Sequence, residues 1–177
     1  FHPLAAERCA QVAPNAKLIM MVRDPPSRAY SHYHHEVRKG REPLSFEAAI
    51  DCEEERLSGE KQKLLADPSY RSRSFQSYSY LSRGLYSEQL DTWKNHFPSE
   101  QILVVASDGM FTDPAGQFNR VLDFLGLTRI TLPVYSKRNA GRYTPMREET
   151  RDRLDEYFEA SWRAMQAACR ECVEKAK

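Results

Sequence analysis

Apolar and polar positions fall into alternating strand-like and helix-like stretches. Residues 3–13 carry helical spacing until Pro14-Asn15-Ala16 breaks it, and the run from Lys17 to Val22 has the length and continuous apolar character of a strand buried on both faces. Asp24-Pro25-Pro26 stops that strand. Ser27 to Lys39 then has helical length without internal Gly or Pro, and proline stands in the first turn, where its missing N–H costs nothing. Gly40 ends this helix; Ser45, with Glu47 and Ala48, starts another that runs into the charged stretch Glu53 to Arg56. Residues 58–77 are polar and irregular, and are expected to be the most mobile segment. From Tyr78 to Phe97 helical spacing returns through Leu81, Leu85, Leu90 and Trp93, closed by Pro98. Gln101 to Val105 predicts a second strand. Asp113-Pro114 opens a helix carrying Phe118, Val121, Leu122 and Leu125, which ends at Gly126. Residues 127–146 form a loop, and Arg147 to Lys175 a long amphipathic helix through Leu154, Tyr157, Phe158, Trp162 and Met165. Strand, helices, strand, helix is the order of an α/β domain with a mostly parallel sheet covered by helices.

Composition narrows the class. A chain of 177 residues with 41% hydrophobic and 29% charged positions is a folded globular chain, and its length suits one domain. A net charge of +1 excludes a globally basic nucleic-acid binder, so no nucleic-acid partner is expected. No run approaches the roughly 18 apolar residues of a membrane span, and Phe1 to Arg8 lack the apolar core of a signal peptide. The chain opens without Met, which reads as the middle of a longer sequence. Its four cysteines, Cys9, Cys52, Cys169 and Cys172, are too scattered for a disulfide framework. Cys169 and Cys172 have the spacing of a zinc half-site, but no second pair or His cluster completes it, so no metal is expected. Reduced thiols fit an intracellular compartment better than a secreted one.

The chemistry concentrates in Arg23-Asp24-Pro25-Pro26-Ser27-Arg28-Ala29-Tyr30-Ser31. A guanidinium at the carboxyl end of a buried strand, followed by a helix N-terminus with free N–H groups, is where an open α/β sheet binds anions. Ser31, in the second turn, is placed to reach the anion that Arg23 grips, and Arg28 shares its face. The other reading has Arg23 and Arg28 paired with Asp24, Glu36 or other carboxylates. A second cationic feature is Lys137-Arg138-Asn139-Ala140-Gly141-Arg142-Tyr143-Thr144-Pro145, whose cations and ring suit a flap over a nucleotide, against the alternative of a solvated loop. From 129 to 151 six Arg or Lys face two Glu, a local +4 hidden in the neutral total. GxxxxGK[ST] is absent, which excludes a complete P-loop nucleotidase in this chain.

Lys17 to Tyr33, with Arg23 and Ser31 eight apart in a strand-turn-helix, resembles the 3′-phosphate-binding segment of the sulfotransferases that use 3′-phosphoadenosine 5′-phosphosulfate (PAPS). The likeness continues through Phe46-Glu47-Ala48-Ala49-Ile50, Tyr80 to Tyr86, Phe97 to Val104 and Phe124-Leu125-Gly126-Leu127, and so covers essentially the whole chain. Lys137 to Pro145 is similar to the loop that closes on the cofactor in the heparan-sulfate-type and bacterial branch, where a Lys-Gly-Arg element is usual. Here the Lys is displaced and Ala140 precedes Gly141.

The resemblance implies a P-loop-NTPase-like three-layer fold, with a central parallel sheet flanked by helices. It implies transfer of a sulfuryl group from PAPS to a hydroxyl or amine, leaving PAP, with a carbohydrate acceptor favoured by the branch. Residue by residue, Arg23 and Ser31 would hold the 3′-phosphate, while Lys137, Arg138, Gly141, Arg142 and Tyr143 would close over the nucleotide. The family's first strand, its phosphosulfate loop with a catalytic Lys, and its Glu or His base have no counterpart here, so residues 1–177 are expected to be the C-terminal portion of a single domain. His34 and His35 are candidate replacement bases, set against an ordinary helix-surface role. Tyr80, Arg83 and Tyr86 either line an acceptor cleft or pack in the core. The implied compartment is the cytoplasm for a bacterial protein and the Golgi lumen for a eukaryotic one. The other functions weighed are a non-catalytic anion- or glycan-binding module and a different nucleotide-using transferase, such as a kinase.

Overall fold

The computed structural model describes residues 1–131 and 143–174, with side chains through Ala168. Helix α1 (Ala5–Val12) leads into β1 (Leu18–Val22), and α2 (Pro25–Arg38) follows at once. Asp24 caps α2: its Oδ2 accepts from the Ser27 N–H at 3.0 Å, and Pro25 fills the first helical position. Four short helices come next, α3 (Phe46–Asp51), α4 (Glu53–Leu57), α5 (Glu60–Ala66) and α6 (Arg73–Ser77), then α7 (Tyr86–Lys94). Strand β2 (Ile102–Ala106) precedes α8 (Gly109–Thr112), α9 (Pro114–Leu125) and α10 (Glu148–Glu174).

Both predicted strands form and pair in parallel, Leu18 opposite Ile102 and Val22 opposite Ala106. The Ser107 N–H extends the ladder to the Val22 carbonyl at 2.7 Å. Burial on both faces holds for β2 but not for β1, where Ile19 and Met21 stay 41% and 59% exposed. Among the described residues no third strand pairs with β1, and one face of the strand stays open.

Helix α10 ties two apolar clusters together. Leu154 and Phe158 pack with Ala29, Phe46, Ala49, Ile50 and Tyr80, and Met165, two turns on, joins Val22, Tyr86, Leu90, Phe97, Ile102 and Val104. Leu154, Phe158 and Met165 are each at most 1% exposed and Trp162 is partly buried, whereas Tyr157, read as part of the same stripe, stays 49% exposed at its edge.

Two stretches depart from expectation. Residues 58–77 are not irregular: they hold α5 and α6. Glu60 is the reason, because its buried carboxylate accepts from Lys63 Nζ at 2.7 Å, Tyr70 Oη at 2.8 Å and the Ser72 hydroxyl, turning polar residues inward. Residues 78–85 are not helical beyond a 3-10 turn at Ser82–Gly84. There Glu53 accepts from the Leu81 and Ser82 N–H groups and, at 2.7 Å, from the Ser82 hydroxyl, satisfying backbone that a helix would have paired internally.

Candidate functional site

The parallel strands and the turn into α2 bring Arg23 and Ser107 to the same carboxyl edge, as the residues that directly follow β1 and β2. A cavity of about 620 Å³ opens there, lined by Met21, Arg23, Arg28, Arg83, Tyr86 and Ser107 among others.

The carboxylates that were the alternative partners of Arg23 and Arg28 are taken. Asp24 is gripped by Arg151 of α10, Nη1 to Oδ2 at 2.8 Å and Nη2 to Oδ1 at 2.9 Å. Glu36 lies 3.3 Å from Arg41 and 3.9 Å from His35. Among the described residues Arg23, Arg28 and Arg83 make no ion pair.

Arg28 is largely buried, donates through Nη2 to the Tyr80 carbonyl, and leaves a buried Nε without a partner among the described residues. Burial pushes its guanidinium down to about 10; Tyr86 opposes the shift, while Arg83 and Arg23 add to it, and the group stays charged at neutral pH. Arg83 donates through Nε to Ser79 Oγ and through Nη2 to the Phe75 carbonyl, both at 3.2 Å, and lies 4.9 Å from the centre of the Phe1 ring. Burial lowers its pKa against the pull of Glu36 and Glu53. The Tyr86 phenol is raised by burial, with Arg28 and a backbone hydrogen bond from Arg23 working the other way. Three arginines, none ion-paired among the described residues, therefore stand on a cavity wall that is otherwise mainly apolar, through Phe1, Leu18, Ile19, Met20, Leu90 and Trp93.

Ser31 sits half-buried on α2, and its hydroxyl bonds no other described residue. It is not on the wall of the Arg23 cavity. Tyr143 packs against α2, its ring stacked on His34 at 4.2 Å and edge-on to Tyr30 at 5.4 Å, while Tyr30 Oη donates to the Thr144 carbonyl at 2.9 Å. Lys137, Arg138, Gly141 and Arg142 lie outside the described residues.

His34 and His35 are not on the cavity wall: His34 is engaged with Tyr143, and His35 is exposed beside Glu36. Tyr80 is a core residue, fully buried with its hydroxyl donating to Glu42 at 2.8 Å, whereas Arg83 and Tyr86 do line the cavity. Cys9 and Cys52 are free thiols, and no group of three potential metal ligands occurs among the described residues. The Cys169 and Cys172 side chains lie outside the described ones. Ser107 was not anticipated. The rule that singled out Arg23, a polar residue at the carboxyl end of a parallel strand, points to Ser107 as well.

Comparison with known proteins gives one consistent answer. The sulfotransferase domain family matches residues 8–172. Mouse heparan sulfate glucosamine 3-O-sulfotransferase 3B1 is 35% identical over 130 residues, spanning 71% of this chain and 28% of that protein. The mouse 3-O-sulfotransferase 6 is 30% identical over 149 residues, 80% of this chain and 36% of that one. A crystal structure of a sulfotransferase from Alicyclobacillus acidocaldarius superposes with a TM-score of 0.75 at 28% identity, over 96% of this chain and 61% of the other. The chain thus spans about a third of the curated relatives it matches.

Proposed function

The chain belongs to the sulfotransferase domain family, and from that premise we propose that it carries the nucleotide-binding part of an enzyme that transfers a sulfuryl group from PAPS to a hydroxyl or amine, with carbohydrate as the acceptor class. The observation that supports this best is Arg23: a guanidinium without an ion-pair partner among the described residues, at the carboxyl end of β1, beside the N-terminus of α2 and open to a cavity of about 620 Å³. An uncompensated cation at that point of an α/β sheet suits a phosphate group.

Arg23 and Ser31 hold the 3′-phosphate in this reading. Lys137, Arg138, Gly141 and Arg142 close over the nucleotide, and Tyr143, docked on His34, ends that loop on the helix that carries Ser31. PAPS, when bound, supplies the activated sulfuryl group and PAP as the leaving group. The protein's task is to fix cations where negative charge grows on the leaving phosphate, since such groups act most strongly when pre-positioned away from water. The lysine and the Glu or His base that complete this chemistry in the family are assigned to a part of the protein outside these residues. The greater length of the matched relatives supports that division. The carbohydrate acceptor is supported by the heparan sulfate relatives.

Calorimetric titration with PAP tests the reading. Arg23→Ala is expected to weaken PAP by about 1.5–3 kcal/mol, the value of a charge-assisted hydrogen bond, and ADP, which lacks the 3′-phosphate, is expected to bind more weakly than PAP. Equal PAP affinity in wild type and Arg23→Ala overturns the assignment.

A further inference from the structure

Tyr143 and Thr144, which lead from the cationic stretch of the sequence towards α10, are pinned to one face of α2. Tyr143 stacks on His34 with ring centres 4.2 Å apart and planes 8° from parallel, and it meets the Tyr30 ring edge-on at 5.4 Å. Tyr30 also donates its hydroxyl to the Thr144 carbonyl at 2.9 Å. Tyr30 and His34 are four residues apart and so lie one above the other on the helix. The seat they form is itself backed by rings: Tyr30 meets His34 edge-on at 4.4 Å and the buried Phe46 at 4.9 Å. His34 Nε2 is buried without a hydrogen-bond partner among the described residues, and burial, with Arg38 adding to it, lowers the ring's pKa. The imidazole is therefore a neutral ring at pH 7, held by aromatic contacts.

The entry into α10 has other anchors. Met146 packs in the Leu154 and Phe158 cluster, and Arg151 holds Asp24. What the seat fixes is residue 143 itself, which follows Arg142 in sequence and lies on His34, one turn beyond Ser31 along α2. We propose that Tyr30 and His34 are positioning residues of the donor site: they touch no nucleotide, and they hold Tyr143 and Thr144 on α2, one turn from Ser31, before the nucleotide arrives. This rests on the donor-binding reading above and adds to it two residues that act through others. Backbone ordered at the moment of binding draws on affinity, and backbone ordered beforehand does not. The Tyr143 ring has a task other than stacking on a base, because the face it turns to His34 is taken.

Calorimetric titration with PAP, with thermal melting of each protein, compares wild type with His34→Ala, Tyr143→Ala, the two combined, His34→Phe and Tyr30→Phe. His34→Ala and Tyr143→Ala are each expected to weaken PAP about tenfold, the equivalent of ordering one residue on binding. The combined variant is expected to lose no more, since either change empties the same seat. His34→Phe keeps a ring that stacks and is expected to bind PAP as wild type does. Tyr30→Phe loses only the bond to the Thr144 carbonyl and is expected to weaken PAP about threefold. PAP affinity unchanged in both Ala variants keeps the donor reading and overturns the seat. A loss in Tyr143→Ala that His34→Ala does not share makes the ring a direct nucleotide contact and overturns the seat too, as do losses that multiply in the combined variant. Wild type that fails to bind PAP overturns the donor reading and the seat with it. If Tyr143→Ala does not fold, His34→Ala against His34→Phe decides: loss in the first with recovery in the second supports the seat, and equal affinity in the two overturns it.

Discussion

Arg151 holds Asp24 through two hydrogen bonds of 2.8 and 2.9 Å, across a sequence separation of 127 residues. Asp24 simultaneously caps α2, and Arg151 also reaches Asp155 one turn along α10 at 2.7 and 2.8 Å. This pair fastens the C-terminal helix to the turn that carries Arg23 and occupies the carboxylate next to it, and Arg23 makes no ion pair among the described residues. Burial raises the Asp24 pKa, but the hydrogen bonds from Arg151 and Ser27 outweigh it and hold the carboxyl below its ordinary value. Replacement by Asn keeps a cap acceptor and removes the charge, so Asp24→Asn is expected to cost about 1–2 kcal/mol of stability, and Asp24→Ala about 1 kcal/mol more for the lost cap. Urea unfolding measures both. A larger effect of Asn than of Ala would contradict this division.

Glu60 makes a pH-dependent contribution. Hydrogen bonds from Lys63, Ser72 and Tyr70 lower its carboxyl to about 2, against a value near 4.5 in an unfolded chain. A carboxyl depressed in the folded state stabilises fully above its unfolded pKa and loses that contribution as pH falls through its folded value. Wild type is therefore expected to exceed Glu60→Gln in stability at pH 7, with the gap shrinking from about pH 4.5 towards pH 2. Urea midpoints of the pair at pH 7 and pH 3 check it, and a constant gap would count against the Glu60 network.

Gly84 is fixed by packing. A Cβ there would lie 2.7 Å from Phe158 Cε1 and 2.9 Å from Cζ, and Phe158 is 1% exposed within the core cluster. Gly84→Ala is expected to cost about 1–3 kcal/mol, the usual penalty of overpacking, and Gly84→Ala combined with Phe158→Leu to cost less than the sum of the two single changes. Additive losses in denaturant unfolding would show that the ring does not meet the methyl.

Local rules made much of this legible. Asp24, Ser45 and Asp113 cap α2, α3 and α9, accepting N–H groups three residues on, and Gly126 ends α9 in the left-handed conformation, all from signals within a few residues. The Leu154, Phe158, Met165 stripe was readable for the same reason. What escaped the sequence depends on partners far apart in it. Nothing near Glu60 announces that it is buried, since its partners Tyr70 and Ser72 lie 10 and 12 residues on. Arg23 and Arg28 were undecided between ion pairs and an anion site because the residue that settles Asp24 is Arg151. Ser107 gains its meaning only when β2 is paired beside β1. Tyr80 looked equally like a cleft or a core residue until Glu42, 38 residues earlier, accepted its hydroxyl.

His32 is expected to make the fold sensitive to acid. Its ring is largely buried against Tyr80, with ring centres 4.9 Å apart, and Nδ1 has no partner among the described residues. Burial, reinforced by the positive charges of Arg28 and Arg83, lowers its pKa to about 3 from the ordinary 6.5. The unfolded chain then takes up a proton below about pH 6.5 that the folded protein refuses until about pH 3, so stability falls with pH across that window. Each pH unit is worth up to about 1.4 kcal/mol, or about 2 kcal/mol between pH 6.5 and pH 5. His32→Phe keeps a ring against Tyr80 and cannot titrate. It is expected to lose about 2 kcal/mol less than wild type between pH 7 and pH 5 in urea unfolding, whatever its stability at pH 7. Parallel losses in the two proteins would place the acid sensitivity elsewhere.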